Sequence, residues 1–361
     1  MVVESLQHSD VTYFPSIGVC EIGYVKEDYI ELDREVRRLG GENNINFDVE
    51  DFLLRAVYYN LYHFGSFASY CSSYRHCTDN CIKCPEFNYG YFANKTRQPC
   101  SKLMINCTWN EKPFDCCRYF LPIQTTMGKC FLLNSIQLIN RSDDRWFKMK
   151  LGSEKMQDFL RLEFSKAASI TVLNEEDVPH MLLTYLMFNQ LHSGIQQYIN
   201  LNVQNVVNDE GVQDISKKSR RCIFPDENFG SKYKYYSFSV CVTECMKKTQ
   251  IEACNCTHFS MIYDDGLKCD CLPSCNEHEI KLIGRTYKAE DKSEHRRITQ
   301  IIVQSLPTQR YRRQAVRNNL DIVVSIGGIM SLYLGASILS LVEFLYFFTI
   351  RASTRQTQTD K

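Results

Sequence analysis

Residues 320–350 read LDIVVSIGGIMSLYLGASILSLVEFLYFFTI, the only long apolar run in a chain of 361 residues. Its two charges, Asp321 and Glu343, stand 22 positions apart, and about 20 apolar residues suffice to cross a bilayer as a helix. A helix of that length on a soluble domain would show a polar face. The run therefore predicts one membrane-spanning helix over 319–351, with 352–361 as a short tail.

Outside that run, composition predicts an oxidised, extracellular domain. The 18 cysteines crowd into 71–130 and 222–275, far denser than in a cytosolic chain, where thiols stay reduced. Four Asn-x-Ser/Thr triplets, at Asn94, Asn106, Asn140 and Asn255, are candidate N-glycosylation sites of the same compartment. The 42 basic and 42 acidic side chains cancel, so no net field favours nucleic acid, and no basic cluster with interleaved aromatics supplies a local one. Spacings such as Cys81-x-x-Cys84 and Cys254-x-Cys256 resemble metal or redox motifs. Thiolate ligands persist mainly in reducing compartments, so disulfides are expected there and no metal. Gly-x-Ser-x-Gly, phosphate-loop and His-Glu-x-x-His signatures are absent, so no enzymatic constellation is expected.

The N-terminal MVVESLQHSDVTYFP has neither the basic nor the apolar region of a signal peptide. Arg310, Arg312, Arg313 and Arg317 before the helix, against Arg351, Arg355 and Lys361 after it, leave its orientation open. An upstream membrane segment, not contained in these residues, is the expectation that accounts for export.

Along the domain, 13–24 reads as a short strand, 47–64 as a helix with Asp48 as its cap, and 71–117 as a cysteine-rich loop region. Residues 129–140 and 159–173 are rich in β-formers and read as strands, whereas 179–212 is indecisive. Residues 238–251 read as a helix on which Cys241 and Cys245, four apart, share a face about 6 Å apart along the axis. Cys269-Asp-Cys271, if extended, places two sulfurs on one face about 6.6 Å apart. The two spacings match, so two disulfide rungs joining helix to strand, closed by Cys222 with Cys275, predict a stiff lever.

Within the apolar run, Gly327, Ser331 and Gly335 recur every four residues, a small-residue stripe that lets helices approach closely in lipid. Packing in a dimerising anchor is one reading of that stripe. A pore is the other: three consecutive small residues, Gly335-Ala336-Ser337, can break the helix and present carbonyls to a partly dehydrated cation, tolerable at membrane depth only around a water-filled cavity. Glu343, about 12 Å further along a helix, is a carboxylate of the kind that is costly in a membrane and marks function.

These residues together resemble a known family. FPSIGVC (14–20), TTMGKCFLLN (125–134), the Cys241/Cys245/Cys254/Cys256 helix, CDCLPSC (269–275), SIGG (325–328) and GASILSLVE (335–343) look like the degenerin/epithelial sodium channel family. RRCIFPDE (220–227) and YRR (311–313) look like its insect pickpocket branch. The resemblance implies an α+β, disulfide-rich ectodomain over 13–318, with a palm β-sheet, a finger region about 47–128 and a thumb about 222–275. It implies one membrane helix at the C-terminal end, a first one missing upstream, and 1–12 as a remnant. It further implies a trimer, of like or related subunits, conducting sodium with amiloride sensitivity in the plasma membrane, the tail cytoplasmic. Gly335, Ala336 and Ser337 would form the selectivity filter, with Ser331 and Glu343 along the cation path and sodium as permeant ion rather than cofactor. The implied pairings are Cys20–Cys130, Cys107 with Cys116 or Cys117, Cys222–Cys275, Cys241–Cys271 and Cys245–Cys269. Twelve residues separate Cys256 from Cys269, shorter than the family's usual loop, which leaves Cys254 and Cys256 without their usual partners. Two other functions compete: a non-conducting modulatory single-pass subunit, and a cysteine-rich receptor or adhesion ectodomain on a plain anchor.

Overall fold

The computed structural model describes residues 2–5, 11–23, 30, 34, 97–150, 158–180, 186–227, 231–254, 270–276, 278–289, 296–305, 309–315, 319–335 and 338–348. Two sheets hold most of its strands. An antiparallel sheet runs in the order Met187–Gln190, Ala168–Leu173, Ser16–Glu21, Gly128–Leu133, Leu121–Thr125. A mixed sheet runs Glu279–Ala289, Ile195–Gln204, Arg297–Ser305, Asp158–Phe164, Met104–Trp109, Lys112–Phe114, with one parallel pair between Ile195–Gln204 and Arg297–Ser305.

Burial explains the residue patterns. Ser16–Glu21 and Ala168–Leu173 are buried along their whole length, so their sequences are nearly continuous in small and apolar residues rather than alternating. Leu160, Leu162 and Phe164, like Ile199, Leu201 and Val203, are fully or almost fully buried at every second position, the period of a strand with one core face. One apolar cluster joins Ile17, Phe131 and Ile170 of the first sheet to Leu162, Leu201 and Ile301 of the second. Gly18 is required by this packing, since a Cβ there would lie 2.7 Å from Pro179 Cγ.

The strands expected at 13–24 and 159–173 are present, the latter as Asp158–Phe164 and Ala168–Leu173. The strand expected over 129–140 ends at Leu133. Asn134 has φ +51°, and its side chain donates to the carbonyls of Phe14 (2.9 Å) and Phe147 (3.1 Å) and accepts from Phe147 N (3.0 Å). An Asn tolerates the left-handed region and here substitutes for the strand ladder. The loop expected over 71–117 is, from residue 100 onward, two short helices, Cys100–Leu103 and Cys116–Tyr119, around the hairpin strands Met104–Trp109 and Lys112–Phe114. Its alternation is hidden because cysteines, paired Cys100–Cys117 and Cys107–Cys116, supply much of the buried side. The indecisive 179–212 contributes the strands Met187–Gln190, Ile195–Gln204 and Val206–Asn208. The helix expected over 47–64 lies outside the described residues.

A third, small sheet places Gln309–Arg313 between Val2–Ser5 and Val206–Asn208. Six residues after Arg313 the first apolar helix begins, at Asn319. The single helix expected over 319–351 is instead two, Asn319–Leu334 and Ile338–Phe348. Gly335 has φ +62° and its N–H donates to the Ser331 carbonyl at 3.1 Å. This is a left-handed glycine cap, a conformation glycine reaches without the Cβ penalty of other residues. Sixteen residues extend about 24 Å, and no helix among the described residues is long and apolar enough to cross a membrane.

Candidate functional site

The helix Phe238–Cys254 begins where the sequence spacing places it and continues three residues beyond the expected end. Ser237 caps it, its buried hydroxyl accepting from Val240 N at 3.1 Å, which satisfies one of the N–H groups a helix start leaves unpaired. Cys241 is bonded to Cys271 and Cys222 to Cys275. Cys245 is disulfide-bonded as well, while Cys269 lies outside the described residues. The Tyr236 hydroxyl donates to Leu272 O at 2.7 Å. Ile223 bonds the returning segment twice through its backbone, at the base of the expected thumb: its N–H donates to Pro273 O (3.0 Å) and its carbonyl accepts from Cys275 N (2.9 Å). Helix and returning segment are therefore braced at several levels.

That braced base meets the strand leading to the apolar helices. Asn208 Nδ2 donates to Cys275 O (2.8 Å) and Asn276 Oδ1 (2.9 Å). Arg313 Nη1 reaches Cys222 Sγ (3.2 Å), Cys275 O (3.3 Å) and Asn208 Oδ1 (3.4 Å). Val206–Asn208 pairs in parallel with Tyr311–Arg313, and Asp209 N bonds Arg313 O at 3.0 Å. A displacement of the Cys222–Cys275 bridge thus acts directly on Arg313, six residues before the helix at Asn319. Sequence reading did not find Arg313 or Asn208 as a junction, because their partners are 38 to 105 positions away.

The start of the thumb helix also meets a buried acidic pair. Asp177 Oδ1 accepts from Ser239 Oγ (2.7 Å), which in turn accepts from Val178 N (3.0 Å). Glu176 is fully buried, and burial followed by repulsion from Asp177 raises its carboxyl to about 7. Burial raises Asp177 too, against the serine hydrogen bonds. Arg141 binds the adjacent Glu175 through Nε at 2.8 Å. His278 and His180 are both lowered to about 4 by burial, with Arg141 adding to the effect on His278.

These shifts oppose one another. Below its unfolded value of 4.5, Glu176 is protonated in both states and its stabilisation is full; it is lost as pH rises through about 7, because the folded chain alone retains the proton in between. The histidines act in reverse from about 4 to 6.5, where the unfolded chain takes up protons that the folded one refuses. Above 6.5 the Glu176 contribution stands out. The melting temperature is expected to fall between pH 6.5 and 7.5, and Glu176→Gln should flatten that fall and raise stability at pH 8 on the order of 1–3 kcal/mol. Thermal unfolding across pH decides it; an unchanged slope in the variant would place the titration on another group.

Gly335 ends the first apolar helix, and Ser331 is exposed one turn before it. Ala336 and Ser337 lie outside the described residues. Glu343 is exposed on Ile338–Phe348, eight positions beyond Gly335. Large apolar side chains project on all sides, Leu332 and Tyr333 each 80% exposed and Leu339 76%. Among the described residues, none of either helix is buried against the domain. Cys20 is bonded to Cys130 across adjacent strands of the five-stranded sheet, and Cys107 takes Cys116, leaving Cys117 for Cys100. Asn106 is exposed with its Nδ2 donating to Glu163 Oε2 (3.1 Å), and exposed Asn140 accepts from Lys234 Nζ (3.1 Å). Asn94, Asn255 and Cys256 lie outside the described residues. No cluster of metal-ligating side chains occurs among the described residues.

The disulfide-rich, β-rich fold is that of an extracellular-type domain, here continued by two apolar helices. Residues 1–347 match the family described as amiloride-sensitive sodium channel. The chain belongs to that family, one of ion channels and not of enzymes. It is 23% identical over 309 residues to Pickpocket protein 19 of Drosophila melanogaster, covering 68% of this chain and 60% of the relative. Sodium channel protein Nach of Drosophila ananassae is 21% identical over 303 residues (70% and 57%), and Acid-sensing ion channel 1A of Danio rerio 22% over 318 residues (73% and 61%). The chain spans about three-fifths of the length of these relatives.

Proposed function

We propose that the chain is a pore-forming subunit of a trimeric, amiloride-sensitive, sodium-selective channel of the plasma membrane, gated through its extracellular domain. The helix break at Gly335 carries this reading. Two helices that are apolar all round need lipid or protein around them. In series, Asn319–Leu334 and Ile338–Phe348 cover 319–348, enough to span a bilayer when neither does alone. A helix end leaves its last carbonyls without helical partners, which lipid cannot satisfy and a hydrated lumen can. Carbonyls at 335–337 would line the filter, and Glu343 of each subunit would favour cations further along. The partners would be copies of this chain or related subunits, with lipid around them. The tail beyond 351 would be cytoplasmic, and sodium would be permeant ion rather than cofactor.

In this mechanism the disulfide-braced thumb is the lever. Its base holds Arg313 through Cys222 and Cys275, and Arg313 lies on the strand that precedes the first apolar helix. Voltage clamp of cells expressing the chain, alone and with a related subunit, tests the proposal. A sodium current blocked by amiloride, and altered when a thiol reagent meets Ser337→Cys from outside, is expected. Absence of such a current in both settings sinks the pore assignment, and a change in the partner's current without reagent sensitivity would indicate a modulatory subunit instead.

A further inference from the structure

The segment that enters the thumb helix, 231–237, belongs to no strand or helix, so its backbone groups need partners from elsewhere. Its last two residues, Tyr236 and Ser237, are buried. Buried Gln137, four residues beyond the strand Gly128–Leu133, pairs with Tyr235 much as a neighbouring strand would. Gln137 Oε1 accepts from Tyr235 N (3.1 Å), while Gln137 Nε2 donates to Tyr235 O (2.9 Å) and to Glu176 O (2.7 Å). One amide thus joins three segments, its partners standing 39 and 98 positions away in the chain.

The residue type is demanding. Both donor hydrogens of the amide face carbonyls and its oxygen faces an N–H, which fixes its orientation. A carboxylate of the same length has no hydrogens to donate, and an apolar side chain deprives all three backbone groups of this partner. Two further ties of the segment, Tyr233 Oη to Gln124 O (2.9 Å) and Lys234 Nζ to Asn140 Oδ1 (3.1 Å), are exposed, where water competes for the same groups. The next residue carries the attachment toward the thumb base. Tyr236 N donates to Pro225 O at 2.7 Å, and its hydroxyl donates to Leu272 O at 2.7 Å. Pro225 lies three residues after Cys222 and Leu272 three before Cys275, the bridge whose half-cystines touch Arg313.

We propose that Gln137 is a positioning residue, the pin that fixes the root of the thumb to the five-stranded sheet and thereby sets where the Cys222–Cys275 bridge rests against Arg313. Its consequence for gating rests on the channel reading; the pin itself does not. Gln137, Tyr235, Tyr236 and the bridge are consecutive links, and coupling through such a series requires every link to hold. Loosening the first should therefore be felt at Val206–Asn208, which pairs with Tyr311–Arg313 and bonds Cys275 O through Asn208.

Native-state hydrogen exchange of the purified full chain in detergent, read by mass spectrometry, tests this without any need for a current, so its failure and failure of the channel reading are separate results. In Gln137→Met, amides of 233–241 should exchange at least about tenfold faster, a difference of about 1.4 kcal/mol. Those of 206–213 should exchange roughly threefold faster, as expected for a coupled but distant site, with Ser16–Glu21 and Asp158–Phe164 unchanged. Gln137→Asn keeps the amide but is one methylene short. It should give smaller increases at the same two places, and it decides the matter if the methionine variant does not fold. Unchanged exchange at 233–241, an acceleration there that does not reach 206–213, or equal acceleration in every segment would each overturn the proposal.

Discussion

Replacing Cys222 and Cys275 together by serine is expected to lower the unfolding free energy by about 4 kcal/mol, and to uncouple the thumb from the proposed pore. The bond closes a segment of 53 residues, and the entropy restored to the unfolded chain by opening such a loop corresponds to about 4 kcal/mol at 25 °C in the chain-entropy treatment. The Cys241–Cys271 bond, with a separation of 30, has nearly the same entropic value because loop entropy varies only with the logarithm of length. The two pairs differ in position. Of these two pairs, it is Cys222 and Cys275 that touch Arg313 among the described residues. Serine at both 241 and 271 should therefore cost similar stability while leaving the response to an extracellular stimulus closer to that of the parent. Thermal unfolding without reductant measures the first effect, and stimulus–response curves at matched surface density measure the second. If both pairs alter the response equally, the junction at Arg313 is not the route.

Gly335→Ala should abolish most of the current while the protein still reaches the surface. A Cβ at Gly335 meets no atom within 4 Å, so the effect is one of backbone conformation. Alanine costs roughly 1–2 kcal/mol in the left-handed region that Gly335 occupies at φ +62°. In a helix interior it is favoured over glycine by about 1 kcal/mol. Both terms favour a continuous helix through 335–337, a combined bias of about 2–3 kcal/mol, or a population shift of roughly 30-fold or more. Asparagine tolerates left-handed backbone better than alanine, so Gly335→Asn should retain a larger fraction of the current. Surface labelling with voltage clamp reads both variants. Parental current from Gly335→Ala would show that the break is incidental to conduction.

The apolar segment shows how far local reading reaches. Its apolarity was plain from composition, and the capacity of Gly335-Ala336-Ser337 to interrupt a helix followed from residue type, but a length criterion alone predicts a single span. The break is set by one backbone dihedral, which apolar counting does not register. The thumb helix was legible to within three residues at its end, because its residue pattern places Cys241 and Cys245 at helical spacing. The region from Cys100 to Cys117 was not legible as strands. There the buried positions are partly half-cystines, and a cysteine shows its burial only when its partner is known.

By itself, the sequence determined what depends on neighbours within one or two turns: the buried strands, the thumb helix, the apolar segment and the oxidised character of the domain. Periodicity and residue type carry that information because side chains three or four apart on a helix, or two apart on a strand, share a face. Only the tertiary structure decided that Arg313 meets the Cys222–Cys275 bridge, and that Glu176 and Asp177 are buried beside the start of the thumb helix. Each joins residues distant in the chain. Their proximity follows from how the sheets and the thumb base pack around a shared core, and no local spacing encodes it.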